Sequence, residues 1–168
     1  QYQIASQVFA RVLFRDPKPN GMAARYMAWL GLRSGNVAQA ETALAMTIAK
    51  MPSGKGVMSP IILELAELYR RQQKFTEIVE LLDNYQLGDS PDQMQIEALS
   101  RRFEAATQVG EVAIAERDLS LLKQLNADST YPALLGTARL LAQKSQFAEA
   151  LSTIERAKGE AQSLEQVR

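Results

Sequence analysis

Asn36-Val37-Ala38-Gln39-Ala40-Glu41-Thr42-Ala43-Leu44 sets Val37, Ala40 and Leu44 three and then four positions apart, on one stripe of an amphipathic helix. The stripe returns in Lys74-Phe75-Thr76-Glu77-Ile78-Val79-Glu80-Leu81-Leu82, in Glu111-Val112-Ala113-Ile114-Ala115-Glu116-Arg117-Asp118-Leu119 and in Gln146-Phe147-Ala148-Glu149-Ala150-Leu151-Ser152-Thr153-Ile154. Its middle member is Ala40, Ile78, Ala115 and Ala150 in turn, at separations of 38, 37 and 35 residues, and Ala5 stands one period earlier. A period of this size marks a helical repeat array whose unit is one helix-turn-helix.

Turn chemistry marks out the same units. Gly35-Asn36 with Gln39 reads as a helix stop followed by a capping-box start, and Ser59-Pro60, Ser90-Pro91 with Gln93, and Thr130-Tyr131-Pro132 each set a cap or turn former beside a proline suited to a first helical turn. Helices are expected to begin there. Surplus residues, including Pro52-Ser53-Gly54-Lys55-Gly56, fall in loops between repeats. Close packing explains the small residues. Ala28, Ala40, Ala66, Ala138 and Ala150 allow two helices to approach, and Leu44, Leu82, Leu119 and Ile154 are expected to fill the space between units.

This arrangement resembles the tetratricopeptide repeat, which has a small residue early in helix A, an aromatic near its end, a glycine at the turn, an alanine early in helix B and a proline after it. The unit at 21–54 carries Ala28, Gly35, Ala40, Leu44 and Pro52 at those places, and the unit at 59–92 carries Leu65, Ala66, Tyr69, Phe75, Leu82 and Pro91. The unit at 96–129 keeps Gly110, Ala115 and Leu119 but has Phe103 where the family has a small residue, a departure expected to disturb helix packing. The unit at 131–164 carries Ala138, Phe147, Ala150 and Ala157, and Ala5, Phe9, Val12 and Pro17 fit the second helix of a truncated repeat at 1–17. The resemblance implies an all-α fold: a right-handed superhelical solenoid of antiparallel helix pairs, four full repeats plus a leading half repeat, forming a single domain over 1–168. Because the chain opens at Gln1 within a half repeat, it is expected to be a fragment of a longer array, with Val8, Phe9 and Val12 seeking a partner.

Composition bounds function. The chain has 168 residues and is 46% hydrophobic and 23% charged, as a globular helical domain is, with no strand run. Nineteen Lys plus Arg balance nineteen Asp plus Glu, so no net field draws in nucleic acid or an anionic membrane. No apolar run reaches the roughly 18 residues a spanning helix needs. Without His or Cys there is no Ser-His-Asp or Cys-His nucleophile, no zinc helix and no thiolate metal site, and neither enzyme activity nor a cofactor is expected. Gly54-Lys55-Gly56 lacks the upstream glycine and the following Ser or Thr of a phosphate loop, and Glu64 with Glu67 reads as a solvated helix face rather than a catalytic pair. The absence of Cys suits an oxidising compartment and equally a bacterial chain sparing in cysteine; the reading is periplasmic, with the cytoplasm as the alternative.

In the resembling family, ligands contact helix A positions that line the concave groove. Carried onto this chain, these are Met22, Arg25, Tyr26, Trp29 and Arg33; Leu63, Glu64, Glu67, Arg70 and Arg71; Glu97, Arg101, Glu104 and Gln108; and Leu135, Arg139 and Gln143. The candidate partner-binding residues are Arg25, Tyr26, Trp29, Glu64, Glu67, Arg71, Arg101, Glu104 and Arg139, because Tyr, Trp and Arg bring large area or several donors at modest entropy cost. Trp29 could equally be a repeat-stacking residue. Members that bind chaperones clamp a C-terminal carboxylate with Lys, Asn and Arg; Arg25, Trp29, Glu64, Glu97 and Arg101 stand at those places here, so that ligand is not expected. The resemblance implies a non-catalytic scaffold holding a partner protein or peptide in its groove, within a bacterial envelope or exopolysaccharide-secretion assembly. An effector-sensing region of a regulator and an RNA-binding helical repeat are the alternatives.

Overall fold

A computed structural model describes residues 11, 15, 18, 21–51, 59–85, 88 and 91–166. The leading half repeat with Ala5, Val8, Phe9, Val12 and Pro17, the 52–56 loop with Gly54-Lys55-Gly56, and Ser90 lie outside these residues. Among the described residues the chain is all-α and contains no strand. From Gly21 on, eight helices follow one another among the described residues: α1 Gly21–Arg33, α2 Val37–Ile48, α3 Pro60–Arg71, α4 Phe75–Asp83, α5 Gln93–Val109, α6 Val112–Gln124, α7 Tyr131–Gln143 and α8 Phe147–Gln166. Every helix packs on its sequence neighbour, and the odd-numbered helices also meet in succession, α1 with α3, α3 with α5 and α5 with α7.

Four turns inside the pairs share one geometry. The backbone N–H of Asn36 donates to the Gly31 carbonyl at 2.7 Å, Lys74 to Tyr69 at 3.0 Å, Glu111 to Ala106 at 2.9 Å and Gln146 to Leu141 at 2.9 Å. Each is the six-residue closure of a Schellman-type helix end, which satisfies a carbonyl the last turn would otherwise leave open. The residue before each donor has a left-handed backbone: Gly35 at φ 73°, Gln73 at 58°, Gly110 at 82° and Ser145 at 61°. The accepting residues are separated by 38, 37 and 35 positions, the spacing of the apolar stripe.

Helix starts follow local chemistry. Asn36 and Ser59 accept from the backbone N–H groups of Gln39 and Ile61, and Pro60 sits in the first turn of α3. The start expected at Ser90-Pro91 falls later, because Asp92 is the cap and its carboxylate accepts from the Gln95 N–H at 2.9 Å. At α7 the Thr130 side chain does not cap the helix; its hydroxyl turns back to the Ala127 carbonyl.

The core lies where helices cross. Ala28, Ala40, Ala66, Ala138 and Ala150 are buried, as are Leu44, Leu82 and Leu122. Leu119 is partly buried against the core, whereas Ile154 is exposed together with Phe147 and Leu151, because no described helix follows α8 to cover that face. Phe103 does not disturb the packing. It is fully buried, and its ring occupies the space opposite Gly136, where an added Cβ would stand 2.6 Å from the ring edge. The bulk missing from α7 makes room for the bulk added on α5.

A buried charge cluster ties α4, α5 and α6 together. The Arg102 guanidinium grips Asp118 with two hydrogen bonds, Nε to Oδ2 at 2.8 Å and its second amino group to Oδ1 at 2.9 Å, and also reaches Asp83 and the Leu82 carbonyl. Arg117 adds a contact to each of the two aspartates.

Candidate functional site

The side formed by the odd-numbered helices carries an open groove of about 1180 Å³. Helix α1 gives its wall Met22, Arg25, Tyr26, Trp29 and Leu32, spaced three and four apart so that they share one face. Helix α3 contributes Leu63, Glu64, Glu67, Leu68 and Arg71, α5 contributes Met94, Glu97 and Arg101, and Ala40 and Leu44 of α2 close the back. One end is therefore aromatic and aliphatic, and the other is ionic.

At the aromatic end Met22, Tyr26, Trp29 and Leu32 are exposed, and the Arg33 guanidinium stands 5.5 Å from the Trp29 ring centre. Trp29 thus faces the groove and is not buried between repeats. Cation–π contact with Arg33 restrains the indole without covering it.

At the ionic end Glu67 is the hub. Arg70 donates to both of its oxygens at 2.9 and 3.0 Å, Arg71 to Oε1 at 2.9 Å and Arg101 to Oε2 at 3.0 Å. The hydrogen bonds from Arg70 lead in lowering its pKa to about 2, burial opposes them, and Arg71 and Arg101 add to the lowering. In return Glu67 raises the Arg70 pKa. Arg101 also holds Glu97 at 2.7 Å, and Arg25 holds Glu64 at 2.7 Å. Glu64 and Glu67, the only sequence-level candidates for a carboxylate pair, are therefore both engaged by arginines, and among the described residues no group of acidic side chains is placed to hold a metal ion.

Seven candidates, Arg25, Tyr26, Trp29, Glu64, Glu67, Arg71 and Arg101, line this one groove. Glu104 and Arg139 do not. Glu104 lines a crevice of about 10 Å³ among α3, α4 and α5 with Arg70 and Arg101, where burial raises its pKa against the pull of Arg70, Arg139 and Arg101. Arg139 faces Gln108, whose amide, turned so that its oxygen faces the guanidinium, accepts two hydrogen bonds at 2.8 and 2.7 Å. Leu32 and Met94 belong to the groove although they are not among the groove positions carried over from the family. Leu32 lies one turn beyond Trp29, and the Asp92 cap starts α5 ahead of the repeat boundary at 96, which brings Met94 into the helix.

No helix among the described residues is long and apolar enough to cross a membrane. No family model, curated protein or solved structure matches the chain.

Proposed function

We propose that the chain is a tetratricopeptide-like solenoid, with units at 21–54, 59–92, 96–129 and 131–164, that binds a partner protein in its groove and performs no catalysis itself. The repeat reading is supported by four equivalent turns at the sequence period and by the succession of contacts among odd-numbered helices, which places like faces side by side. The binding reading rests on one observation: residues far apart in sequence on α1, α3 and α5 converge on a single open groove whose exposed anchors are Tyr26, Trp29 and Arg side chains. These side chains dominate interface energetics, and a contiguous exposed apolar patch with a polar rim is what a partner covers. Membership of a bacterial envelope or export assembly is part of the proposal and rests on the resemblance alone.

Affinity capture from a bacterial lysate with the parent chain and an Arg25→Ala, Trp29→Ala, Arg101→Ala variant tests the binding reading. A protein retained by the parent and lost by the folded variant supports it. Equal retention by both moves the contact surface away from the groove.

A further inference from the structure

Two apolar surfaces at opposite ends of the helix series answer each other. The first is on α8, where Phe147, Leu151 and Ile154 are exposed. Separations of four and then three residues put them on one stripe, the i, i+4, i+7 spacing by which an amphipathic helix anchors in a groove. Leu44 and Leu82, at the place of Ile154 in α2 and α4, are buried, and the next helix packs on each of those two. Among the described residues α8 packs on α7 alone, so Ala150 and Ala157 are buried and the stripe is not. Glu155 and Lys158, both exposed, stand four residues beyond Leu151 and Ile154 and add one charge of each sign.

The second surface is the groove. Its charged lining consists of three arginines and three glutamates, each ion-paired within the set: Arg25 with Glu64, Arg71 with Glu67, and Arg101 with Glu67 and Glu97. A lining neutralised from within asks no net charge of its occupant and offers it the apolar side chains of Met22, Tyr26, Trp29, Leu32, Leu63 and Met94. The volume of about 1180 Å³ is that of roughly three turns of a helix about 10 Å across. The stretch from Phe147 to Ile154 fills about two turns. Size, apolar chemistry and charge balance thus agree between the groove and the uncovered face of α8.

We propose that the groove of one copy takes α8 of a second copy, with Phe147, Leu151 and Ile154 seated against Tyr26, Trp29 and Leu32. This rests on the groove-binding reading and names its occupant. Two different surfaces meet, so the contact is head-to-tail: each added copy presents a groove at one end and an α8 at the other, and association passes beyond the dimer.

Sedimentation velocity over a concentration series tests this on the whole chain, and the emission of Trp29, the only tryptophan, reports groove occupancy in the same samples. The average mass of the parent is expected to rise past that of a dimer, with a saturable shift in Trp29 emission. Leu151→Asp disables α8 and Leu32→Asp disables the groove; both side chains are exposed, so each variant should melt with the parent, and Phe147→Asp or Met22→Asp replaces one that does not. Each variant alone is expected to self-associate at least about tenfold more weakly. Mixed in equal amounts, the two are expected to form a dimer and nothing larger, because each pair retains one intact groove and one intact α8. Association lost in Leu151→Asp but kept in Leu32→Asp would make the contact α8 to α8, and the converse would make it groove to groove; either result overturns the proposal, as does a mixture that stays monomeric. A parent that stays monomeric at millimolar concentration also overturns it, and capture from lysate then decides the groove reading by itself.

Discussion

Glu67 and Asp118 are both carboxylates held by more than one arginine, yet they stand in opposite surroundings. The Glu67 side chain is 26% exposed at the edge of the groove, among guanidiniums that reach into water. Asp118 is 0% exposed, and its main partner Arg102 only 8%, in a cluster joining three helices. Coulomb attraction is larger in the interior, but so is the cost of desolvating each charge, and removing one partner there strands the other. The buried cluster thus fixes how three helices sit together, whereas the groove cluster stays open to solvent.

Four substitutions would break or sharpen this contrast. The largest effect is expected from Arg102→Ala, which leaves Asp118 buried with only the exposed Arg117 beside it and should cost about 3–5 kcal/mol in denaturant unfolding; a loss no greater than that of a groove arginine would erase the distinction. Gly136→Ala drives a methyl into the Phe103 ring and should cost about 1–3 kcal/mol, with Phe103→Leu in the same chain recovering part of it.

Glu67→Gln comes third. Solvent around the site screens its ion pairs, so the loss at neutral pH should be only about 1 kcal/mol. The pH dependence carries a sign: the folded-state pKa is lowered from 4.5 to about 2, so the Glu67 contribution is complete above the unfolded value and disappears as pH falls through about 2. Parent and variant stabilities should therefore converge on acidification, and parallel acid limbs in thermal melts would show that the cluster contributes nothing. Smallest is Gln73→Gly. Its left-handed backbone is strained with a side chain and easy without one, so the variant should gain about 0.5–1 kcal/mol, as should Ser145→Gly, while the same change at Lys74 should not.

The apolar stripe was legible because Val37, Ala40 and Leu44 recur with helical spacing and a long period, and Gly35 and Gly110 announced two of the four turns. Gln73 and Ser145 announced nothing, since a residue forced into the left-handed region by its neighbours carries no sequence signature. Repeat register brought seven groove residues together but overreached at Glu104 and Arg139, where side-chain length and a neighbouring helix decide which way a polar group turns. The Arg102 and Asp118 pair was unreadable. Its members lie sixteen positions apart on separate helices, and within Glu116-Arg117-Asp118 the aspartate reads as one more surface charge. Phe103 read as a misfit because its compensation, Gly136, lies on another helix.

The proposed array makes a claim about how strain travels. Leu82 is fully buried in α4, and Leu82→Ala should cost about 2–5 kcal/mol. Native-state hydrogen exchange of that variant tests the array most directly. Repeat coupling predicts a steep loss of amide protection in α3, α4 and α5, with smaller losses in α1 and α8. An equal loss across α1 to α8 would contradict the account and make the chain a single cooperative globule.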